Sequence, residues 1–161
     1  ESRDETSPAA LGMERIVFTV SANPGQPAKP LNKVASGGEL SRISLAIQVV
    51  LADNVHIPTL IFDEVDVGIG GGIAEMVGIK LRILGKNAQI LCVTHQAQVA
   101  SQAHHHLKVF KESDKNHTST SISVLDEEQL IEELSRMMGG VKITQQTRSH
   151  AREMRKQAIA S

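Results

Sequence analysis

Two short runs of continuous apolar residues, 59–62 (TLIF) and 89–94 (QILCVT), flank a single helical pattern, and this arrangement constrains the chain most. Gly70-Gly71-Gly72 opens the pattern, Ile73, Met76, Val77, Ile79, Leu81 and Ile83 carry it, and Gly85 stops it. Parallel strands cannot be joined by a tight turn and need a crossover of a dozen or more residues, usually a helix. Runs without polar alternation are typical of strands covered on both faces. The expectation is an α/β fold with a mostly parallel sheet flanked by helices.

The rest of the pattern fits around this unit. Residues 15–21 (RIVFTVS) put Ile16, Phe18 and Val20 on one side and predict a strand. Residues 23–32 hold Pro24, Pro27 and Pro30, which predicts an extended surface loop. Ser36 followed by Glu39 has the spacing of a capping box, and the helix it opens is apolar almost all round, which predicts burial. Residues 107–111 and 119–125 predict an antiparallel edge pair joined by a polar loop over 112–118. Residues 126–138 and 144–160 predict two more helices, the last polar and basic.

Composition sets the outer limits. With 161 residues, 40% hydrophobic and 22% charged, the chain suits one globular domain, able to bury roughly 70% of its unfolded surface without staples. Its only aromatics are Phe18, Phe62 and Phe110, too few for the stacking platforms of single-strand binders. A net charge of -1 excludes a strong overall basic field but not a local basic patch. Cys92, the single cysteine, lies in an apolar run and reads as a buried small hydrophobe of a reducing compartment. There is no run of 18 apolar residues and no signal-peptide core among the first dozen, so no membrane partner and a cytoplasmic location are expected. Residues 1–12, polar and without an initial Met, read as a linker from something longer, and 13–161 as the folded body.

Three constellations carry chemistry: Ser36-Gly37-Gly38-Glu39 at a helix start, Asp63-Glu64 directly after one apolar strand, and His95 directly after the next. Carboxylates at the C-terminal edge of a parallel sheet stand where open α/β folds bind ligands. In phosphate chemistry the first acid suits Mg²⁺ and the second a water. A Ser-Gly-Gly helix start offers free N–H groups to an anion, and a histidine at the same edge can sense a phosphate.

The order ASGGELSR, TLIFDEVDVGIGG, VTH resembles the C-terminal half of an ABC-type ATPase head. With SANPGQPAKPLNKVASGGELSRISLA upstream and VTHQAQVA downstream, it looks like the RecN-type DNA repair ATPases, relatives of the SMC proteins. The resemblance implies a P-loop NTPase-like half-head using ATP and Mg²⁺, engaged on DNA at double-strand breaks and so nucleoid-associated. Ser36, Gly37, Gly38 and Glu39 would be the signature acting on a partner head's nucleotide. Asp63 would hold Mg²⁺ through water, Glu64 would be the general base, Asp66 an inter-head contact and His95 the switch. Two departures accompany it. Ala35 stands where generic signatures carry Leu, and no G-x-x-x-x-G-K-S/T occurs; the nearest stretch, 139–144, has the wrong spacing. The phosphate loop is therefore expected in an N-terminal segment, with a second head completing the site, and this chain alone should not turn over ATP.

Blander readings stand beside these. Ser36 to Glu39 alone is an ordinary capping box, and Asp63-Glu64 alone an acidic pair satisfied by helix N-termini. His104, His105 and His106 read as the start of an edge strand, since consecutive extended residues point to alternate sides. Arg148, Arg152, Arg155 and Lys156 gather on one helix face, as a DNA-phosphate stripe or a solvated face. Met137 and Met138 read as core filler. Two rival functions remain: a non-enzymatic dimerising or DNA-bridging module, and a small metal-dependent hydrolase built on Asp63, Glu64, Asp66 and His95.

Overall fold

The structure is a computed structural model that describes residues 2–3, 14–15, 17–21, 25–33, 36–51, 57–114, 117–139 and 143–160. Ile16, Asn23, Pro24, Ala35, the stretch 140–142 and most of the expected linker over 1–12 lie outside them. In chain order the elements are β1 (Ser2–Arg3), β2 (Glu14–Arg15), β3 (Thr19–Val20), β4 (Lys29–Pro30), α1 (Gly37–Leu51), β5 (Thr59–Phe62), α2 (Gly71–Leu84), β6 (Gln89–Cys92), α3 (Ala97–Ala100), β7 (Leu107–Asp114), β8 (His117–Val124), α4 (Glu127–Gly139) and α5 (Gln145–Ala160).

The predicted crossover is present. β5 and β6 pair in parallel, Thr59 opposite Gln89 through Phe62 opposite Cys92, with α2 between them in sequence. Phe62, Val65, Ala74, Val77, Leu81, Leu84, Val99 and Leu45 of α1 form one core. The other sheet face is open: Ile61 is 70% exposed and Val93 64%. The expectation of strands covered on both faces is therefore corrected within this chain. So is that of a fully buried α1, where Val50 is 76% exposed and only Gly38 and Leu45 are buried. Continuous apolar runs report the surface that must be covered, and here part of the cover is supplied by nothing in the described residues.

Two local expectations change at their edges. Lys29–Pro30, inside the predicted proline loop, pairs antiparallel with Thr19–Val20, a pairing Pro tolerates because an edge position needs no N–H from it. Ser2–Arg3 pairs with Glu14–Arg15, so part of the expected linker joins a strand pair. The β7–β8 hairpin extends into the polar stretch expected to be loop, since Glu112 opposite Ser119 and Ser113 opposite Thr118 continue the register.

A second core of Ala97, Ala100, Leu130, Ile131, Leu134 and Ala151 joins α3, α4 and α5, with Met137 and Met138 packed against it as expected. Asp126 caps α4 reciprocally: its Oδ1 accepts the Gln129 N–H at 2.8 Å, and its own N–H donates to Gln129 Oε1 at 3.0 Å. Glu133 pairs with Lys108 of β7 and Arg136, and the Arg136 hydrogen bonds hold its carboxyl below the usual range.

His106, just before β7, adds a pH dependence. Burial, reinforced by the Arg155 charge, lowers its pKa to about 4, and its Nε2 has no hydrogen-bond partner among the described residues. The unfolded chain takes up this proton below about 6.5, whereas the folded chain refuses it until about 4. The stabilising contribution is thus whole above the ordinary imidazole value and declines as the pH falls between them. Discounted for partial exposure, the loss should reach about 1–2 kcal/mol. Urea midpoints for wild type and His106→Gln, compared across that window, should diverge, with the variant flatter; parallel curves would remove His106 from the account.

Candidate active site

The site forms where α1 begins and where β5 and β6 end. Ser36 Oγ accepts the Glu39 N–H at 3.2 Å, so the predicted cap is made. Gly37 and Gly38 follow because the chain packs tightly there. A Cβ at 37 would collide with Glu64 Oε2, and one at 38 would lie 3.0 Å from the Glu64 carbonyl and 3.1 Å from that of Val67. One turn further, Ser41 Oγ donates to the Asp63 carbonyl at 2.7 Å and Arg42 Nη1 to the Val67 carbonyl at 2.9 Å. Gly38, Ser41 and Arg42, at i, i+3 and i+4, form one face of α1 that grips the loop after β5. That spacing is the signal by which Ser41 and Arg42 are legible in the sequence.

Glu64 sits at the sharpest point of that loop, with φ of 57°, the only non-glycine residue at positive φ among those described. For a side chain with a Cβ this conformation costs roughly 1–2 kcal/mol. Both Asp63 and Glu64 are exposed. Asp63 Oδ1 accepts the Glu64 N–H at 2.9 Å. The Glu64 carboxylate lies against Gly37 at the positive end of α1, where a helix favours an anion.

Asp66 differs from both. It is 1% exposed, and its Oδ2 accepts from Thr94 Oγ1 and from the His95 N–H at 3.2 Å, while Oδ1 lies 3.7 Å from His95 Nδ1. Within this chain its carboxylate holds the end of β6. The His95 side chain itself is 67% exposed. Gln96 Nε2 donates to the Ile69 carbonyl at 3.0 Å and stands 3.4 Å from His95 Nε2. Thr94 and Gln96 flank His95 in sequence, yet nothing in local patterning marks them.

One exposed carboxylate at the end of a strand fits Mg²⁺, which keeps most of its water and takes one or two carboxylates beside substrate phosphates. Asp63, exposed directly after β5, has that chemistry. A hydrolase centre on Asp63, Glu64, Asp66 and His95 is less well served: among the described residues no three His, Cys, Asp or Glu side chains converge, Asp66 being turned inward. Cys92 is free, half-buried, and pushed up to about 12, chiefly by burial, so it stays an inert thiol.

The basic stripe on α5 is largely engaged within the chain. Arg148 pairs with Glu132, Arg152 with Glu128 and Arg155 with Glu127, rungs between α5 and α4. Arg155 is 7% exposed and its Nη1 donates at 2.7 Å to the carbonyls of both Ser101 and Ala103. Of the four stripe cations it is the one drawn into the chain, which i, i+4 spacing alone conceals. Among the described residues no helix is long and apolar enough to cross a membrane.

No family model matches the chain. It is 53% identical to the DNA repair protein RecN of Vibrio cholerae over 152 residues, which is 94% of the chain and 27% of that protein. It is 48% identical to RecN of Xylella fastidiosa over 151 residues, again 94% of the chain and 27% of the relative. A solved chain from structural work on ATP-driven dimerization and DNA-stimulated activation of SMC ATPases superposes with a TM-score of 0.51, at 18% identity, over 73% of this chain and 70% of that one. This likeness shows that the chain shares the fold of that solved chain. The chain spans about a quarter of the length of the curated relatives it matches, and as such a segment it belongs to the RecN type.

Proposed function

We propose that the chain is part of the ATPase head of a DNA double-strand-break repair protein, active when joined to a segment bearing the phosphate loop and to a second head. Water attacks the γ-phosphorus of ATP in line, Glu64 accepts its proton, and the bond from that phosphorus to the β–γ bridging oxygen breaks, so that ADP and phosphate leave. Asp63 holds Mg²⁺, through water, and that ion supplies charge neutralisation at the phosphates when bound. The Ser36-Gly37-Gly38 start of one head's α1, with Glu39, serves the nucleotide of the other, and His95 reports on the terminal phosphate. Hydrolysis then releases the heads from each other and from the DNA they hold in the cytoplasm. Of the α5 cations, the exposed Arg152 and Lys156 are the ones left to meet DNA phosphates.

One observation carries this reading: an exposed glutamate is kept in left-handed backbone at the end of a parallel strand, where glycine would be unstrained. The test combines this chain with the phosphate-loop segment of the same protein and follows ATP turnover. Turnover is expected from the assembled head and none from the chain by itself. Hydrolysis by the chain alone would overturn the division of the site; an assembled head that binds ATP and DNA without hydrolysis would favour the bridging module.

A further inference from the structure

We propose that Gln96 is a positioning residue that sets which nitrogen of His95 carries hydrogen and ties that ring to the loop after β5. The inference rests on the reading of His95 as the switch. Its geometry begins at Ile69, whose carbonyl can only accept, so the Gln96 atom 3.0 Å away is the amide nitrogen. The same nitrogen lies 3.4 Å from His95 Nε2 and has a second hydrogen to give. Nε2 is then the acceptor, and the hydrogen of the neutral ring belongs on Nδ1, the atom that faces the Asp66 carboxylate at 3.7 Å.

Asp66 is buried, and Thr94 Oγ1 and the His95 N–H fix its other oxygen. The ring is thus held from two sides, by Asp66 early in the loop and by Gln96 reaching the carbonyl at the loop's end. In this arrangement Nε2 has no hydrogen to offer a phosphate. To donate there it must leave Gln96, and when Gln96 swings away it also releases Ile69. Movement of the loop and readiness of His95 become one event. The Gln96 side chain makes no capping bond to α3, so its removal does not uncap that helix.

The test uses the assembled head with ¹⁵N-labelled histidine, the His95 signals being assigned by their loss in His95→Gln. Spectra recorded about two pH units above the ordinary imidazole value report the neutral tautomer. In wild type the hydrogen is expected on Nδ1, and in Gln96→Leu, where Nε2 loses its donor and only the 3.7 Å contact to Asp66 still favours Nδ1, the share of hydrogen on Nε2 is expected to rise. Gln96→Asn, too short to reach both partners, should match Gln96→Leu. In the same head kcat should change by on the order of tenfold while KM stays within about twofold. An identical tautomer in wild type and both variants overturns the inference. A changed tautomer with unchanged kcat leaves the contact standing and overturns the switch role of His95.

Discussion

Glu64→Gln in the assembled head is expected to lower ATP turnover by on the order of 10²- to 10⁴-fold, the usual worth of a positioned general base. ATP binding should persist, because the amide keeps the size and the hydrogen-bonding reach of the carboxylate, and two heads should remain closed on uncleaved nucleotide. The opposing account is already visible in the geometry. Glu64 lies against Gly37 at the start of α1, and a carboxylate that merely complements a helix dipole contributes about 0.3–1 kcal/mol to stability and nothing to chemistry. On that account the glutamine variant would lose a little stability and hydrolyse normally. Glu64→Gly separates the two further. It removes the Cβ from a φ of 57°, so the folded state should be as stable as wild type or firmer by up to about 1 kcal/mol, while turnover falls as it does with glutamine. Turnover within a few-fold of wild type in both variants would sink the role assigned to Glu64. Gain of stability with loss of activity is the pattern of strain kept for function.

How much of this was legible beforehand depends on the range of the interaction. The crossover, the Ser36 cap and the Asp126 helix were readable because they are encoded in spacings of two to four residues. The acidic pair at the end of β5 and His95 after β6 were readable because a strand end can be located from its apolar run. What escaped depends on partners distant in sequence. Asp66 meets Thr94 and His95 across the parallel pair, 28 and 29 residues on, so its burial has no local sign. Arg155 looks like its neighbours on α5 and is distinguished only by carbonyls at 101 and 103. The open faces of α1 and the sheet escaped for the opposite reason. Periodicity tells which surface needs cover without telling whether this stretch of chain supplies it.

Arg155→Leu should cost about 3–5 kcal/mol of folding free energy, a large share of what a domain of this size has. The loss comes mainly from α3. That helix is four residues long, and its own Val99 and Ala100 carbonyls accept the N–H groups of Gln102 and Ala103, so the groups that need a donor are the Ser101 and Ala103 carbonyls just beyond it. Arg155 Nη1 reaches into the gap and donates to the carbonyls of Ser101 and Ala103, and a charged donor is worth about 1.5–3 kcal/mol at each. Glu127 adds little, since its side chain is 58% exposed and solvent screens the pair. Leucine fills much of the volume yet removes the donor from both carbonyls, leaving Ala103 only its bond from the His106 ring. Arg155→Lys should fall between, since one ammonium keeps the charge but not the fork. Arg152→Leu, which breaks only an exposed pair with Glu128, should shift the urea midpoint by less than about 0.5 kcal/mol. Equal effects at 152 and 155 would mean that α5 is held by its ion-pair ladder. The expected contrast instead makes Arg155 the bolt that joins α5 to the turn after α3, one and three residues beyond Ala100. A head weakened there should lose its second core before it loses Glu64, so ATP-dependent closure should fail at a lower denaturant concentration than the unfolding of β5 and β6.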